Sequence, residues 1–290
     1  REEAKVSIFD GAFVVGDGVW EGLRLHRGAL MFLDAHLDRL YWGAQKIRLD
    51  IGLDRTALTR ELWRTLDANG MRDGVHIRVM VTRGEKTAPN QDPRNAIGPA
   101  TVVIVAEWKL PSQRILTDGV RLRTASIRCT SAEMFDMRLN SHSRLNLITA
   151  LLEAIDAGAD EALMLDPNGF VSSCNATNFF FVREGTLMTS KGDYCFNGVT
   201  RGNVIRLGEA HGLPLRLGDF TLEEVSAADE AFVTGTFGGI TPVSEIDGHG
   251  LPARLPGPIT QRVRSLYEAL KDEQARVAPP RPAMSAAPGA

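Results

Sequence analysis

The chain is poor in cysteine and lysine, and it has no long apolar run. Its three cysteines, Cys129, Cys174 and Cys195, are far apart and odd in number. They make no CxxC or Cys/His ligand spacing, so neither a disulfide framework nor a structural metal site is expected. Such sparse cysteine suits a reducing compartment, and a cytoplasmic location is the expectation. No apolar stretch reaches the roughly 18 residues of a spanning helix and no secretory pattern is seen, so no membrane partner is expected. No block of like charge occurs either. Lys plus Arg number 33 against 36 Asp plus Glu, a net charge of −3, which gives no reason to expect nucleic acid. The usual phosphate and zinc fingerprints are missing: no Walker loop, no GxGxxG opening a helix, no HExxH.

What is present is ordinary globular material, 43% hydrophobic and 24% charged over 290 residues, enough for one large core or two medium ones. The stretch "SIFDGAFVVGDGVWEGLRLH" (7–26) is apolar and punctuated by glycine, and reads as paired strands with a tight connection. Leu33, Leu37, Leu40 and Ala44 recur at helical spacing, and a second amphipathic helix over 55–70 is closed by Gly70. The runs 75–84 and 100–110 are β-branched and strand-like, with a polar loop between them. Strand character returns in "DGVRLRTASIRCT". A helix follows with Leu145, Ile148, Leu152 and Ile155 on one side. Beyond it come strands divided by an Asp-Pro-Asn-Gly turn, a short helix ending at Gly212, and a capping box of Thr221 and Glu224. The class is α+β in two successive units, a smaller one over 1–111 and a larger one over 118–275. The Pro/Ala-rich stretch 277–290 is expected to be disordered.

Three long segments, "VWEGLRLHRGALMFLDAHLDRL", "DEALMLDPNGFVSSCNATNFFFVREGTLMT" and "NGVTRGNVIRL…ADEAFVTGTFGGITPV", occur in an order and spacing that resemble the class IV aminotransferases, over about residues 5 to 270. The resemblance implies the two-domain D-amino acid aminotransferase-like architecture (fold type IV). It also implies pyridoxal 5′-phosphate (PLP) as cofactor, an amino acid or amine as substrate, and a homodimer. Carried over, it makes Arg39, Val199, Thr200 and Thr236 the residues that hold the cofactor's phosphate. The chemistry of these residues agrees, because a dianionic phosphate is matched by a guanidinium, short hydroxyls and amides at a helix N-terminus. Read alone, Thr200 is a helix cap and Arg39 a surface ion-pair partner.

The reacting end departs from the pattern. Counting six back from Asn146, the lysine that carries the cofactor falls on Asn140. The carboxylate facing the pyridine nitrogen falls on Ser173, and a usual tyrosine falls on Val15. An amide is neither a nucleophile nor a base near neutral pH, so Asn140 cannot take over the lysine's role. A serine leaves the pyridine nitrogen neutral and the ring a weaker electron sink. Three departures together read as natural divergence. Of the six lysines, Lys86 in the polar loop of the first unit and Lys191 just before "GDYCFNGVTR" are the candidates for a cleft mouth, and both read as solvated loop lysines. His142 is a candidate replacement base and Arg144 a candidate for a substrate carboxylate. The expectation is a class IV aminotransferase-like protein that binds PLP, or a similar phosphorylated ligand, without the usual lysine and acts on an amino acid or amine with atypical chemistry. The alternatives are a PLP-independent hydrolase or lyase on the same fold, or a non-catalytic ligand-binding relative.

Overall fold

The computed structural model describes residues 3–279 and 281. The disorder expected for 277–290 falls at 280 and from 282 onward outside the described residues, while Val277 belongs to the last helix. The chain divides into two compact units. One comprises Arg1–Leu110, Asn140–Ser143 and Lys271–Ala290, the other Pro111–Leu139 and Arg144–Leu270.

The first unit contains α1 (Gly11–Val15), β1 (Gly18–His26), β2 (Ala29–Leu30), α2 (Leu33–Lys46), α3 (Arg55–Ala68), β3 (Val75–Thr82) and β4 (Thr101–Trp108). Its antiparallel sheet runs β2-β1-β3-β4. The paired strands expected over 7–26 are not formed. Asp10 caps Ala12 N–H and Gly16 ends the turn at φ 71°, so 11–15 coils into a short helix. Only 18–26 is extended, and β1 pairs with β3. In β3, Val75, Ile77, Val79 and Val81 alternate into the core at 0% exposure. They pack on Leu37 and Leu40 of α2 and on Leu58, Leu62 and Leu66 of α3. Each such residue contributes about 1.5–3 kcal/mol relative to exposure. Asp54 caps α3 through Ala57 N–H, and Gly70, at φ 62°, follows its end as the spacing predicts. The segment Asn140–Ser143 lies along β1: Trp20 N–H donates to Asn140 O (2.9 Å), His142 N–H donates to Gly18 O (3.0 Å), and Val19 faces Ser141.

One lysine departs from expectation. Lys86 is not a solvated loop residue but only 2% exposed. The chain over 85–97 doubles back so that Lys86 pairs with Ala96, and its Nζ donates to Asp92 O at 2.9 Å. The long aliphatic stem is buried with the head group satisfied by a carbonyl. Lys191, by contrast, is half exposed and paired with Asp219.

The second unit holds α4 (Gln113–Asp118), β5 (Val120–Thr124), α5 (Leu145–Asp156), β6 (Glu161–Leu165), β7 (Val171–Cys174), β8 (Asn178–Arg183), β9 (Thr186–Ser190), α6 (Val199–Ala210), β10 (Leu215–Gly218), α7 (Leu222–Ser226), β11 (Glu230–Gly235), β12 (Gly239–Ile246), β13 (His249–Gly250) and α8 (Pro258–Val277) as far as Leu270. Its nine-stranded sheet runs β10-β9-β8-β11-β12-β5-β6-β7, with β13 on β12. The sheet curls, since Ser190 Oγ of β9 donates to Ser172 O of β7, near the other end of the strand order (2.7 Å). Central strands are buried on both faces, which is why "NFFFV" reads as a continuous apolar run rather than an alternation. Phe180 stacks on Phe232 with centroids 5.0 Å apart. Thr221 and Glu224 form the expected capping box of α7. Glu230 accepts from Ile259 N–H and Thr260 N–H and so caps α8. The side of α5 carrying Leu145, Ile148, Leu152 and Ile155 is 52–74% exposed, while Leu147, Ala150 and Ala154 face the unit's core.

Candidate active site

In the first unit a buried ionic cluster sits on the core face of β1. Glu21 lies between Val19 and Leu23, at core parity in the strand. Its carboxylate accepts from His36 Nδ1 (2.7 Å), Arg39 Nε (2.7 Å) and Arg39 Nη2 (2.8 Å). His36 and Arg39 are three apart on α2 and therefore share a helix face. Burial pushes the Glu21 carboxyl up. The hydrogen bonds and charges of Arg39 and His36 outweigh it, leaving the carboxyl below its usual range. Arg39 is thus no surface ion-pair partner, its side chain being 13% exposed against a 1% exposed carboxylate.

The opposite face of β1 differs in character. Trp20 carries the Arg78 guanidinium 3.7 Å from its ring centroid, and the Trp20 indole donates to Ser141 O at 3.1 Å. His76 packs over Gly22. Burial, with the charges of Arg24, Lys109 and Arg78, pushes His76 down to about 4, so it is neutral at ordinary pH beside those cations. Asn140 and His142 flank Ser141, whose single bridge to Val19 ties the segment to β1. A Cβ at Gly18 would lie 2.8 Å from the His142 ring, which puts that ring on the Trp20 face of β1.

In the second unit α6 begins at Gly198 with no side-chain cap. A helix leaves its first N–H groups without intrahelical acceptors, so the amides of Val199 and Thr200 are donors of this kind. Asn178 of β8 holds the turn: its Oδ1 accepts from Gly198 N–H (3.0 Å), and its Nδ2 donates to Phe196 O (2.6 Å) and Ser173 Oγ (3.1 Å). A Cβ on Gly198 would come within 2.4 Å of Asn178 Oδ1, so only glycine permits this approach. Thr200 does not cap α6. It lies inside the first turn, 2% exposed, with its hydroxyl 3.3 Å from Tyr267 Oη. Thr236 lies part-buried in the turn between β11 and β12, and Thr234 just before it keeps a buried hydroxyl without a hydrogen-bond partner. These donors fit an oxyanion such as a phosphate.

Ser173 does not offer what a carboxylate would. Its hydroxyl donates to Thr177 O (2.8 Å) and accepts from Asn178, so its proton is committed within the protein. Its surroundings are equally committed: Arg201 Nη2 donates to Ser190 O at 2.6 Å, and the neighbouring Cys195 thiol is pushed up by burial. Arg144 stands at the start of α5 with its guanidinium 5.6 Å from the Phe196 ring centroid. Val15, where the motif has tyrosine, ends α1 and is exposed. Glu21, His36, Asn178 and Tyr267 were not singled out as functional from sequence. A carboxylate at core parity in "VWEGL" was the available signal for the first two. Tyr267, on a separate terminal helix, left none. Among the described residues no His/Cys/Asp/Glu group could hold a metal, and no helix is long and apolar enough to cross a membrane.

The chain matches the family model described as amino-transferase class IV over residues 18–246. It is 35% identical to a putative branched-chain-amino-acid aminotransferase of Methanocaldococcus jannaschii, covering 93% of each protein. It is 39% identical to branched-chain-amino-acid aminotransferase-like protein 2 of Arabidopsis thaliana over 94% of its own length but 48% of that protein's, so it spans about half of that relative. The structure of a T.th. branched-chain amino acid aminotransferase complexed with N-(5′-phosphopyridoxyl)-L-glutamate superposes with a TM-score of 0.86 at 32% identity, covering 94% of this chain and 91% of that one. Neighbours at this level share the curled mixed sheet, not only a local motif. The chain belongs to the class IV aminotransferases, a PLP-dependent family, and has their fold.

Proposed function

We propose that the protein binds PLP, or a similar phosphorylated ligand, through Arg39, Val199, Thr200 and Thr236, and acts on an amino acid or amine with altered chemistry. The observation that carries this reading is the start of α6, an uncapped helix opening whose turn is held by Asn178. PLP supplies a ring that takes up charge released at the substrate's α-carbon. At the family's lysine and glutamate positions the chain offers an amide at Asn140 and a hydroxyl at Ser173 that donates to Thr177 O. No proton is held on the ring nitrogen by Ser173, and no amine comes from Asn140. The cationic face with Arg24 and Arg78 suits a substrate carboxylate, Arg144 is a second candidate for it, and His142 is the candidate replacement base. The division into a smaller domain over 1–111 and a larger pseudo-barrel domain over 118–275 belongs to the same proposal. So does a cytoplasmic location, which the three free, buried thiols suit.

Incubation with PLP, absorbance at about 330–420 nm, borohydride reduction and peptide mapping test this. Bound PLP without an adduct supports altered chemistry. An adduct on Lys86 or Lys191 restores an ordinary covalent arrangement and overturns it. Absence of binding leaves the PLP-independent hydrolase or lyase, or the non-catalytic relative.

The same proposal includes a homodimer. A helix apolar on two sides is covered on two sides, and α5 carries an outward stripe of Leu145, Ile148, Leu152 and Ile155 opposite its buried one. A second copy of this chain is the expected cover. Sedimentation velocity should give a dimer for the wild type and a monomer for Leu152→Glu; a monomeric wild type removes the proposal.

A further inference from the structure

The sheet of the second unit holds a small cavity that none of the chemistry above uses. Phe181 of β8 pairs with Met188 of β9, and Met188 with Arg216 of β10, so the three stand side by side on one face. Arg183, two residues beyond Phe181, is on the same face. Asn178, which holds the start of α6, is at the other end of β8 and on its other face. Glu184 of the β8–β9 turn and Glu224 of α7 complete the rim of a cavity of about 210 Å³. At roughly 30 Å³ per water, that is room for about seven waters or one small organic molecule.

The lining is of two kinds. Phe181 and Met188 give an apolar floor, backed by Phe220, whose ring meets that of Phe181 edge-on at 5.1 Å. The rim carries two guanidiniums and two carboxylates, and among the described residues none of the four is in a salt bridge. Two of them are nevertheless held in place. Arg216 lies over the Phe220 ring, 5.0 Å from its centroid. Glu224 reaches back in its capping box, where Oε2 accepts from Thr221 N–H at 2.8 Å.

We infer that this cavity is a binding site for an α-amino acid with a small apolar side chain. The carboxylate meets Arg183 and Arg216, the ammonium meets Glu184 and Glu224, and the side chain lies on Phe181 and Met188. Charge decides between ligand classes. A simple anion or a simple cation meets as many like charges as opposite ones on this rim. A neutral apolar molecule uses the floor and leaves the rim charges without partners. A zwitterion pairs with both signs, and a guanidinium fork takes a carboxylate through two bonds. The end of a curled sheet is a common place for such a site.

The test titrates L-valine into the full chain labelled with ¹³C-methyl methionine and follows the Met188 methyl resonance, assigned with Met188→Leu. A saturable shift with a Kd on the order of millimolar is expected for a ligand of so few atoms. Arg216→Gln and Arg183→Gln should each weaken it at least about tenfold, the scale of a lost hydrogen bond between charged groups. Isovalerate, which lacks the ammonium, and isobutylamine, which lacks the carboxylate, should each bind at least about tenfold more weakly than L-valine. No saturable shift up to about 100 mM would overturn the inference. So would a Met188 shift unchanged in both arginine variants, which would place L-valine elsewhere, or isovalerate binding as tightly as L-valine, which would make this a site for plain carboxylates. The outcome is independent of whether the chain binds PLP, because Met188 reports on this cavity alone.

Discussion

Replacing Arg39 by methionine should cost the protein about 3–5 kcal/mol of stability, the range for removing one partner of a buried ion pair. The size follows from what remains. Glu21 stays in a core of Val19, Leu23, Leu37 and Leu40, its side chain 1% exposed, with His36 Nδ1 left to donate to it. It loses both bonds from the guanidinium and its main countercharge. Methionine fills much of the vacated volume, so the loss comes chiefly from the orphaned carboxylate rather than from a cavity. The double variant Glu21→Gln/Arg39→Met should therefore be more stable than Arg39→Met alone, since a buried amide costs less than an unpaired charge. Urea unfolding checks this: the midpoint should fall for Arg39→Met with little change in slope, and partly recover in the double variant. An Arg39→Met midpoint close to wild type would mean that the pair does not bear on the native state.

The sequence is legible where local chemistry decides. The capping box of Thr221 and Glu224, the stop at Gly70 and the alternation of Val75, Ile77, Val79 and Val81 each follow from a few adjacent residues and appear as expected. It misleads where a short polar group overrides the hydrophobic pattern. Asp10 and Gly16 bracket five residues whose composition suggests a strand, and the cap makes them a helix. Lys86 shows a second limit, since a lysine in a polar loop reads as solvated until a distant carbonyl, that of Asp92, is found to accept from it. The α5 stripe shows a third, because periodicity gives two apolar sides without saying which one faces the unit's own core. At the candidate site, residue identities were readable and networks were not. Ser173 was visible as a missing carboxylate. That its hydroxyl is turned toward Thr177 O and tied through Asn178 to the start of α6 depends on strands that meet only in the fold.

A lysine at position 140 should convert this protein into one that carries PLP covalently. Asn140 is 5% exposed on a rung bonded to β1, beside Trp20 and its partner Arg78. An amine there is desolvated, which lowers its pKa and raises its nucleophilic fraction near neutrality. Wild type offers an amide and should give no borohydride-stable adduct at this position; Asn140→Lys should give one, found by peptide mass. The register itself is testable, since His142→Lys places an amine two residues along, where the His142 ring lies beside Gly18 of β1. An adduct in His142→Lys and none in Asn140→Lys would move the family's lysine position by two residues and leave the rest of the site as described. On the proposed reading, attachment alone does not make a transaminase, because a serine at the family's glutamate position supplies no carboxylate to the ring nitrogen. Ser173→Glu must displace the Thr177 and Asn178 hydrogen bonds, and Asn178 also holds Gly198 N–H. The combined Asn140→Lys/Ser173→Glu protein should therefore bind PLP more weakly than Asn140→Lys while turning over an amino donor at least about 10²-fold faster than wild type, the scale of a restored general base. Covalent PLP with no gain in turnover would place the barrier elsewhere than at the two altered positions.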